Sequence, residues 1–214
     1  MFGYDGYSPN YEYRDVLLEH FSGLGQIISY DKDALIEFEY ARLSYAYLII
    51  EGKVKQFFTT AEGQEKTILI LSKGDMFGEI TMIQGDHDHC ITKTYVPTKV
   101  CKITREAFDA YLAEHPELYE SILQMLTTKI RLLMYQVFDG NYLDAKERLY
   151  ALLQRLSVQH AIHTDKGIAI DLSLTHEEIA RMIGSTRSTV TKLMKLLEDE
   201  GRIQREGKQI IRLF

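Results

Sequence analysis

The stretch "LTHEEIARMIGSTRSTVTKLMKLLEDEGRI", residues 174–203, predicts two short helices joined by a tight turn. Thr175 is placed to cap the first helix, and Glu178, three residues later, completes a capping box. Gly184 allows the left-handed backbone that ends this helix, and Thr186 is a suitable cap for the second one. These local signals together predict a helix-turn-helix unit.

The second helix of this unit separates its side chains into two faces. At about 100° per residue, its apolar side chains fall on one arc, namely Val190, Leu193, Met194 and Leu197. Polar side chains of the leading turns fall on the opposite face, namely Arg187, Ser188, Thr191 and Lys192. A slim, cationic face is typical of a recognition helix, whose first residues contact base edges in the major groove of DNA. A helical hairpin with solvated charges is the alternative interpretation.

The flanking segments favour a winged helix-turn-helix domain. A helix is expected over about 143–158 and a strand at "IAIDLSL" (168–174). The closing stretch "RIQREGKQIIRLF" (202–214) predicts a hairpin of two short strands around Glu206-Gly207. Because a strand, two helices and a closing hairpin build such a domain, DNA binding is preferred over the plain helical hairpin.

The first half of the chain predicts antiparallel β-structure. After an amphipathic helix over about 14–24, short β-type runs extend from Ile27 to Ile103. Turn signals, such as Lys73-Gly74-Asp75, recur at a spacing of roughly ten residues. That spacing is typical of an antiparallel sandwich or barrel.

A long helical segment follows over about 106–138, bent near His115-Pro116. Its apolar residues recur with alternating steps of four and three, at Tyr119, Leu123, Leu126, Ile130, Leu133 and Val137. This heptad stripe is the pattern of a helix that pairs with a copy of itself, which predicts a homodimer; a helix packed on its own domain is the alternative. Asp139-Gly140-Asn141 is then expected to break the helix and to act as a hinge.

The charge is unevenly distributed along this chain of 214 residues, whose formal net charge is −6. From Thr175 to Phe214 eight Lys/Arg oppose six Asp/Glu, which leaves +2 in that segment and −8 in the remainder. An acidic body with a mildly basic end argues against general coating of nucleic acid and permits one localised contact surface.

Composition also limits the cellular compartment in which the protein is expected. No apolar run reaches the roughly 18 residues of a membrane span, and the start, Met1 to Tyr7, lacks the features of a signal peptide. Two cysteines, Cys90 and Cys101, are too few for a disulfide framework. We therefore expect a cytoplasmic protein with no membrane partner.

The quoted stretch resembles the DNA-binding module of the CRP/FNR family of bacterial transcription regulators. Upstream, "YLIIEGKVK" (47–55), "LSKGDMFGEITMI" (71–83) and "LDAKERLYALL" (143–153) match the order of the family's segments, so the likeness covers nearly the whole chain. The resemblance implies an α+β protein with a cyclic-nucleotide-binding-like jelly roll, a long dimerisation helix and a winged C-terminal domain.

Boundaries and partners follow from this resemblance. We expect an effector-sensing jelly roll with its N-terminal helix at 1–105, a dimerisation helix and hinge at 106–140, and a winged helix-turn-helix domain at 141–214. The implied partners are double-stranded DNA with a near-palindromic operator, a second copy of the chain and a small-molecule or redox effector. RNA polymerase is a further candidate partner.

Carried over by position, Arg187 falls on the arginine of the family's recognition helix. Ser188 stands where many members have glutamate, and Lys192 stands where many have arginine. His176 and Lys208 fit phosphate contacts, which position a protein on DNA without specifying its sequence. The candidate DNA-binding residues are Thr175, His176, Thr186, Arg187, Ser188, Thr191, Lys192 and Lys208.

The sensor departs from the pattern of cyclic-nucleotide-binding relatives, in which an Arg-Ser/Thr pair holds the cyclic phosphate. This chain keeps Phe77-Gly78-Glu79 but has His89-Cys90 at the place of that pair. Histidine cannot reproduce the fixed positive fork of arginine at neutral pH, so an effector other than cyclic AMP is expected. The candidate effector-binding residues are Gly78, Glu79, His89, Cys90, Ile130, Leu133 and Met134, the last three as an apolar lining.

The run "HDHC" raises the question of a metal or haem site, since His87, His89 and Cys90 carry suitable ligands. A polar surface turn with a half-buried cysteine is the preferred interpretation, and no metal or cofactor is predicted. A cupin-like metal-dependent enzyme or ligand-binding protein is the alternative function. It is disfavoured because the sequence shows no catalytic triad or paired acid and base. A regulatory module of a larger protein is also disfavoured.

Overall fold

The computed structural model describes residues 9–37, 45–86, 90–165, 167–207 and 209–213. The helices are α1 (Tyr13–Phe21), α2 (Glu79–Gln84), α3 (Arg105–Glu114), α4 (Leu118–Tyr142), α5 (Ala145–Gln159), α6 (His176–Ile183) and α7 (Arg187–Asp199). The strands are β1 (Gln26–Tyr30), β2 (Leu35–Glu37), β3 (Tyr45–Glu51), β4 (Lys53–Thr59), β5 (Glu65–Ser72), β6 (Met76–Phe77), β7 (Ile91–Thr94), β8 (Thr98–Thr104), β9 (Ala161–His163), β10 (Gly167–Ile170), β11 (Ile203–Glu206) and β12 (Gln209–Leu213). Two compact units result, one of Asn10–Arg131 and one containing Leu132–Phe214.

Two four-stranded antiparallel sheets form the β-structure of the first unit. One sheet has the strand order β1-β8-β3-β6, and the other has the order β2-β7-β4-β5. Residues of β7 alternate between half-buried and buried, as expected of a strand that covers a core with one face. The predicted fold class, with an antiparallel jelly roll at the N-terminus, is confirmed.

Helices α1, α3 and α4 share one core with the sheet that contains β8. The rings of Phe21 and Phe108 lie 5.6 Å apart, and Cys101 of β8 is fully buried in the same cluster. Thr104 caps α3, since its hydroxyl accepts a hydrogen bond from the backbone N–H of Ala107. The long helix is thus attached to the first unit along part of its length.

The predicted bend near His115-Pro116 is confirmed, because α3 ends at Glu114 and α4 begins at Leu118. The predicted break at Asp139-Gly140-Asn141 is wrong, because α4 continues through these residues to Tyr142. Asp139 is buried and forms an ion pair with Arg155 of α5, and this tertiary contact outweighs the local preference for a turn. The chain leaves the helix only after Tyr142, and Asp144 caps α5.

The second unit combines α5, α6 and α7 with an antiparallel sheet of order β11-β12-β10-β9. Its buried apolar side chains come from all three helices and from the hairpin, namely Leu149, Leu153, Ile179, Val190, Met194, Leu197, Ile203 and Ile211. The hairpin of β11 and β12 confirms the predicted wing, whereas β9 was not expected from the sequence. Among the described residues no helix is both long and apolar enough to cross a membrane.

Candidate nucleic-acid interface and sensor site

The local chemistry of the helix-turn-helix unit is as the sequence predicts. Thr175 and Glu178 form a reciprocal capping box at the start of α6. Gly184 ends this helix with φ 65° and ψ 54°, in the left-handed region that favours glycine. Thr186 caps α7 by accepting a hydrogen bond from the backbone N–H of Thr189. Two capped helices on a shared core therefore hold the leading turns of α7 in a fixed position.

Helix α7 places its two faces as expected. Val190, Met194 and Leu197 are buried in the core of the second unit. The polar side chains of the leading turns are all exposed, namely Arg187, Ser188, Thr191 and Lys192. An exposed, cationic leading face is the arrangement that a recognition helix needs in order to enter the major groove.

His176, at the start of α6, connects α7 with the wing. Its Nδ1 atom lies 2.8 Å from the hydroxyl oxygen of Thr191, and its Nε2 atom lies 3.4 Å from Nη1 of Arg205 on β11. Arg205 in turn donates two hydrogen bonds, of 2.8 and 2.5 Å, to the carboxylate of Glu198 on α7. The phosphate contact of His176 stays a prediction, and it would compete with these contacts.

Electrostatics favour the neutral form of His176. Partial burial, together with the positive charges of Arg205 and Arg187, holds the pKa of His176 below its ordinary value, and Glu198 opposes this shift. Hydrogen bonds from Arg205 hold the pKa of the Glu198 carboxyl below its usual range. At neutral pH the network therefore consists of an uncharged imidazole, a guanidinium and a carboxylate.

The candidate sensor site is built around the turn between β6 and α2. Gly78 adopts φ 80°, which only glycine adopts without strain, and places Glu79 at the first position of α2. Glu79 is buried, and its Oε1 atom accepts a hydrogen bond of 2.6 Å from Nζ of Lys129 on α4. The same ammonium group donates to the carbonyl oxygen of Met76 at 2.6 Å. The long helix thus supplies a buried cation to this turn.

The predicted apolar lining residues lie on the same helix as Lys129. Ile130 and Leu133 are exposed on α4, and so is Met134, whereas Lys129 is the α4 side chain bonded to Glu79. Cys90 is half-buried and is not part of a disulfide. His87, His89 and the wing residue Lys208 lie outside the described residues, so their predicted roles remain predictions.

Helix α4 carries two apolar stripes. One is buried and contains Leu118, Ile122, Met125, Lys129 and Leu132. The other is the predicted heptad stripe, in which Leu123 and Val137 are 59% and 64% exposed. One stripe thus packs within the chain while most of the other is exposed, and pairing of this helix with a second copy stays a prediction.

Lys129 and Arg205 are functional candidates that the sequence interpretation missed. Lys129 is the only charged residue of the buried stripe among the described residues, spaced from its neighbours by the same steps of four and three. A lysine in an apolar stripe predicts a buried acid as its partner. The sequence contains no such signal for Arg205, because its contacts with Glu198 and His176 depend on the fold of the wing.

The two units correspond to two known domain families. Residues 27–115 match the cyclic nucleotide-binding domain family, and residues 147–213 match the Crp-like helix-turn-helix domain family. A global nitrogen regulator of Synechococcus elongatus is 30% identical over 189 residues, which are 86% of this chain and 84% of that protein. A CRP-like cAMP-activated global transcriptional regulator of Mycobacterium tuberculosis is 28% identical over 77% of this chain and 74% of that protein.

Solved structures agree on the fold. A CooA mutant from Carboxydothermus hydrogenoformans superposes with a TM-score of 0.78 at 24% identity, covering 95% of this chain and 88% of that one. The c-di-GMP-responsive global regulator CLP of Xanthomonas campestris gives a TM-score of 0.77 at 19% identity, covering 94% of this chain and 99% of that one.

A jelly-roll sensor followed by a long helix and a winged helix-turn-helix defines a DNA-binding transcription regulator rather than an enzyme. The relatives with matching domains are transcription regulators as well. This chain belongs to the CRP/FNR family.

Proposed function

We propose that the protein is a sequence-specific transcription regulator that binds a near-palindromic operator as a homodimer. The observation that carries this proposal is the exposed leading face of α7, where Arg187 and Lys192 flank small hydroxyl side chains. Arginine donates two parallel hydrogen bonds to a guanine edge, and small neighbours allow the helix to approach the bases closely. Arg187 is therefore the proposed base-specific contact, and Lys208 of the wing is a proposed phosphate contact.

A second copy of this chain is the proposed partner of the exposed stripe on α4. Its spacing in steps of four and three matches a helix that pairs with a copy of itself, because each apolar side chain then meets its counterpart. Five of its six apolar side chains are exposed, all but Leu126, and a row of exposed side chains of this size favours association, whereas single exposed apolar residues do not. Two recognition helices related by a twofold axis would contact half-sites about one helical turn apart.

The proposed effector is a molecule other than cyclic AMP. The Arg-Ser/Thr pair of cyclic-nucleotide-binding relatives is replaced by His89-Cys90. In addition, the retained Glu79 is already bonded to Lys129, so a ligand that uses this carboxylate must displace or share a buried cation. Relatives respond to different signals, since one is named as cAMP-activated and a structural neighbour as c-di-GMP-responsive.

Four experiments test this function. Selection of bound fragments from a genomic DNA library should return a near-palindrome, and analytical ultracentrifugation should show a dimer at micromolar concentration. A monomer that selects no operator would overturn the proposal.

Titration calorimetry with cyclic AMP and cyclic GMP should show no tight binding, whereas micromolar binding that strengthens operator affinity would refute the assignment of the effector. Mass spectrometry of gently purified protein then identifies a retained molecule.

A further inference from the structure

The hydrogen-bond roles around Thr191 are fixed by its neighbours. The Thr191 hydroxyl lies 2.9 Å from the backbone carbonyl oxygen of Arg187, which can only accept, so the hydroxyl donates its proton there. His176 Nδ1, at 2.8 Å from the same hydroxyl oxygen, must then carry a proton and donate it. The Nε2 atom of the neutral ring is left as an acceptor, which suits the guanidinium of Arg205. Each atom has a role that its chemistry allows.

Thr191 therefore donates its only polar hydrogen to another atom of the protein. The residue is exposed and lies one helical turn after Arg187, on the same face of α7. Because hydrogen bonds hold the hydroxyl oxygen from two sides, the χ1 rotamer of Thr191 is fixed. Only its methyl group is then available to contact a base edge. In the major groove, a threonine methyl group makes apolar contact with the C5-methyl group of thymine.

We propose that Thr191 selects thymine through its methyl group and that His176 is the positioning residue that fixes this orientation. The proposal rests on the proposed insertion of α7 into the major groove, and it adds a base to the guanine assigned to Arg187. It also gives His176 a role other than the predicted phosphate contact. Arg205 is bonded to Glu198 of α7, the helix that carries Thr191, and it holds the opposite side of the His176 imidazole.

The test replaces each thymine of the selected operator by uracil, which removes only the C5-methyl group. One position per half-site should lose affinity by about fourfold, and by about fifteenfold when both half-sites are changed, as expected for one buried methyl group each. Thr191→Ser, which keeps the hydroxyl and removes the methyl group, should bind the thymine and uracil operators equally.

Variants of His176 separate positioning from phosphate binding. His176→Leu should reduce the thymine-to-uracil affinity ratio, whereas His176→Asn, whose amide N–H can replace the Nδ1 donor, should retain it. In a Thr191→Val background, which has no hydroxyl to hold, His176→Leu should leave the ratio unchanged. Circular dichroism and non-specific DNA affinity verify that each variant is folded.

The outcomes distinguish this inference from the function on which it rests. If no operator is selected at all, the proposed role of α7 is wrong. If an operator is selected but no uracil replacement weakens binding, or if Thr191→Ser keeps the ratio, the thymine assignment alone is overturned. If His176→Leu weakens both operators equally and independently of residue 191, His176 is a phosphate contact and the positioning role is refuted.

Discussion

The Nζ atom of Lys129 lies 2.6 Å from Oε1 of Glu79, and both side chains are buried within the first unit. The pair joins α4 to the first residue of α2, and the ammonium group also bonds to the carbonyl oxygen of Met76. A buried ion pair gains little net stability over apolar side chains, but removal of one partner leaves an uncompensated charge. The pair therefore constrains which arrangements of α4 and the sensor turn are accessible.

Lys129→Met should destabilise the protein by about 3–5 kcal/mol, because the carboxylate of Glu79 then stays buried without its cation. Chemical denaturation measures this loss. The double variant with Glu79→Gln should recover part of it, since a neutral amide costs less to bury. Lys73→Met is the matched control at an exposed lysine and should change stability by no more than about 0.5 kcal/mol. A loss of under about 1 kcal/mol for Lys129→Met would indicate a pair that behaves as a surface ion pair.

Two glycines of the second unit should respond to alanine with opposite signs. Gly140→Ala should stabilise the protein by about 0.5–1 kcal/mol, because Gly140 lies inside α4 with nothing within 4 Å of the added Cβ. Gly184→Ala should destabilise it by about 1–2 kcal/mol, because φ 65° is unfavourable for a residue with a Cβ. Thermal unfolding of both variants provides the comparison. If Gly140→Ala destabilised the protein instead, that result would support the hinge that the sequence predicted there.

The helix-turn-helix was predictable because its signals act over three or four residues. Thr175, Glu178 and Gly184 specify caps and a turn that form without knowledge of the rest of the chain. The partner of Lys129 was not predictable in this way, since Glu79 lies fifty residues earlier and only the folded sheet brings the two together.

The error at Asp139-Gly140-Asn141 has the same physical origin. Each of these residues favours a turn by itself, and the local pattern contains nothing that opposes it. The buried ion pair between Asp139 and Arg155 is a tertiary contact, and it makes the helical conformation the better one. Local propensity therefore predicts correctly where caps and turns decide the structure, and fails where a distant partner does.

Ile130→Glu should abolish the dimer and the cooperative binding of two half-sites, because it places charges at the centre of the proposed pairing stripe. Sedimentation equilibrium measures the change. Ile27→Glu is the matched control, since Ile27 is 44% exposed and Ile130 54% exposed, but Ile27 lies on β1 and not on α4. Equal effects of both substitutions on self-association would show that α4 is not the dimer contact.

Arg187→Ala should lose about 1–3 kcal/mol of operator affinity and relax the preference at one base position, as expected for a residue that contacts a guanine edge. Lys208→Ala should weaken binding to all sequences alike and reduce the salt dependence of affinity. Binding to a library with every single-base change in one half-site measures both effects. A loss from Arg187→Ala that is independent of sequence would exclude the base-reading role.

The pH dependence of the second unit should follow the titration of His176. Partial burial and the charges of Arg205 and Arg187 hold the folded-state pKa of His176 below the unfolded-state value of about 6.5. As pH falls, the unfolded chain takes up this proton first, so the contribution of neutral His176 to stability is complete above about pH 6.5 and decreases as pH falls through that value towards the folded-state pKa.

Titration of the His176 imidazole resonances by NMR should give a midpoint below the ordinary one, and Arg205→Met should raise this midpoint by removing a facing cation and releasing Glu198. Lys146→Met is the control, because Lys146 is not among the charges that act on His176, and it should leave the midpoint in place. A midpoint that Arg205→Met does not move would show that Arg205 does not face the imidazole in solution.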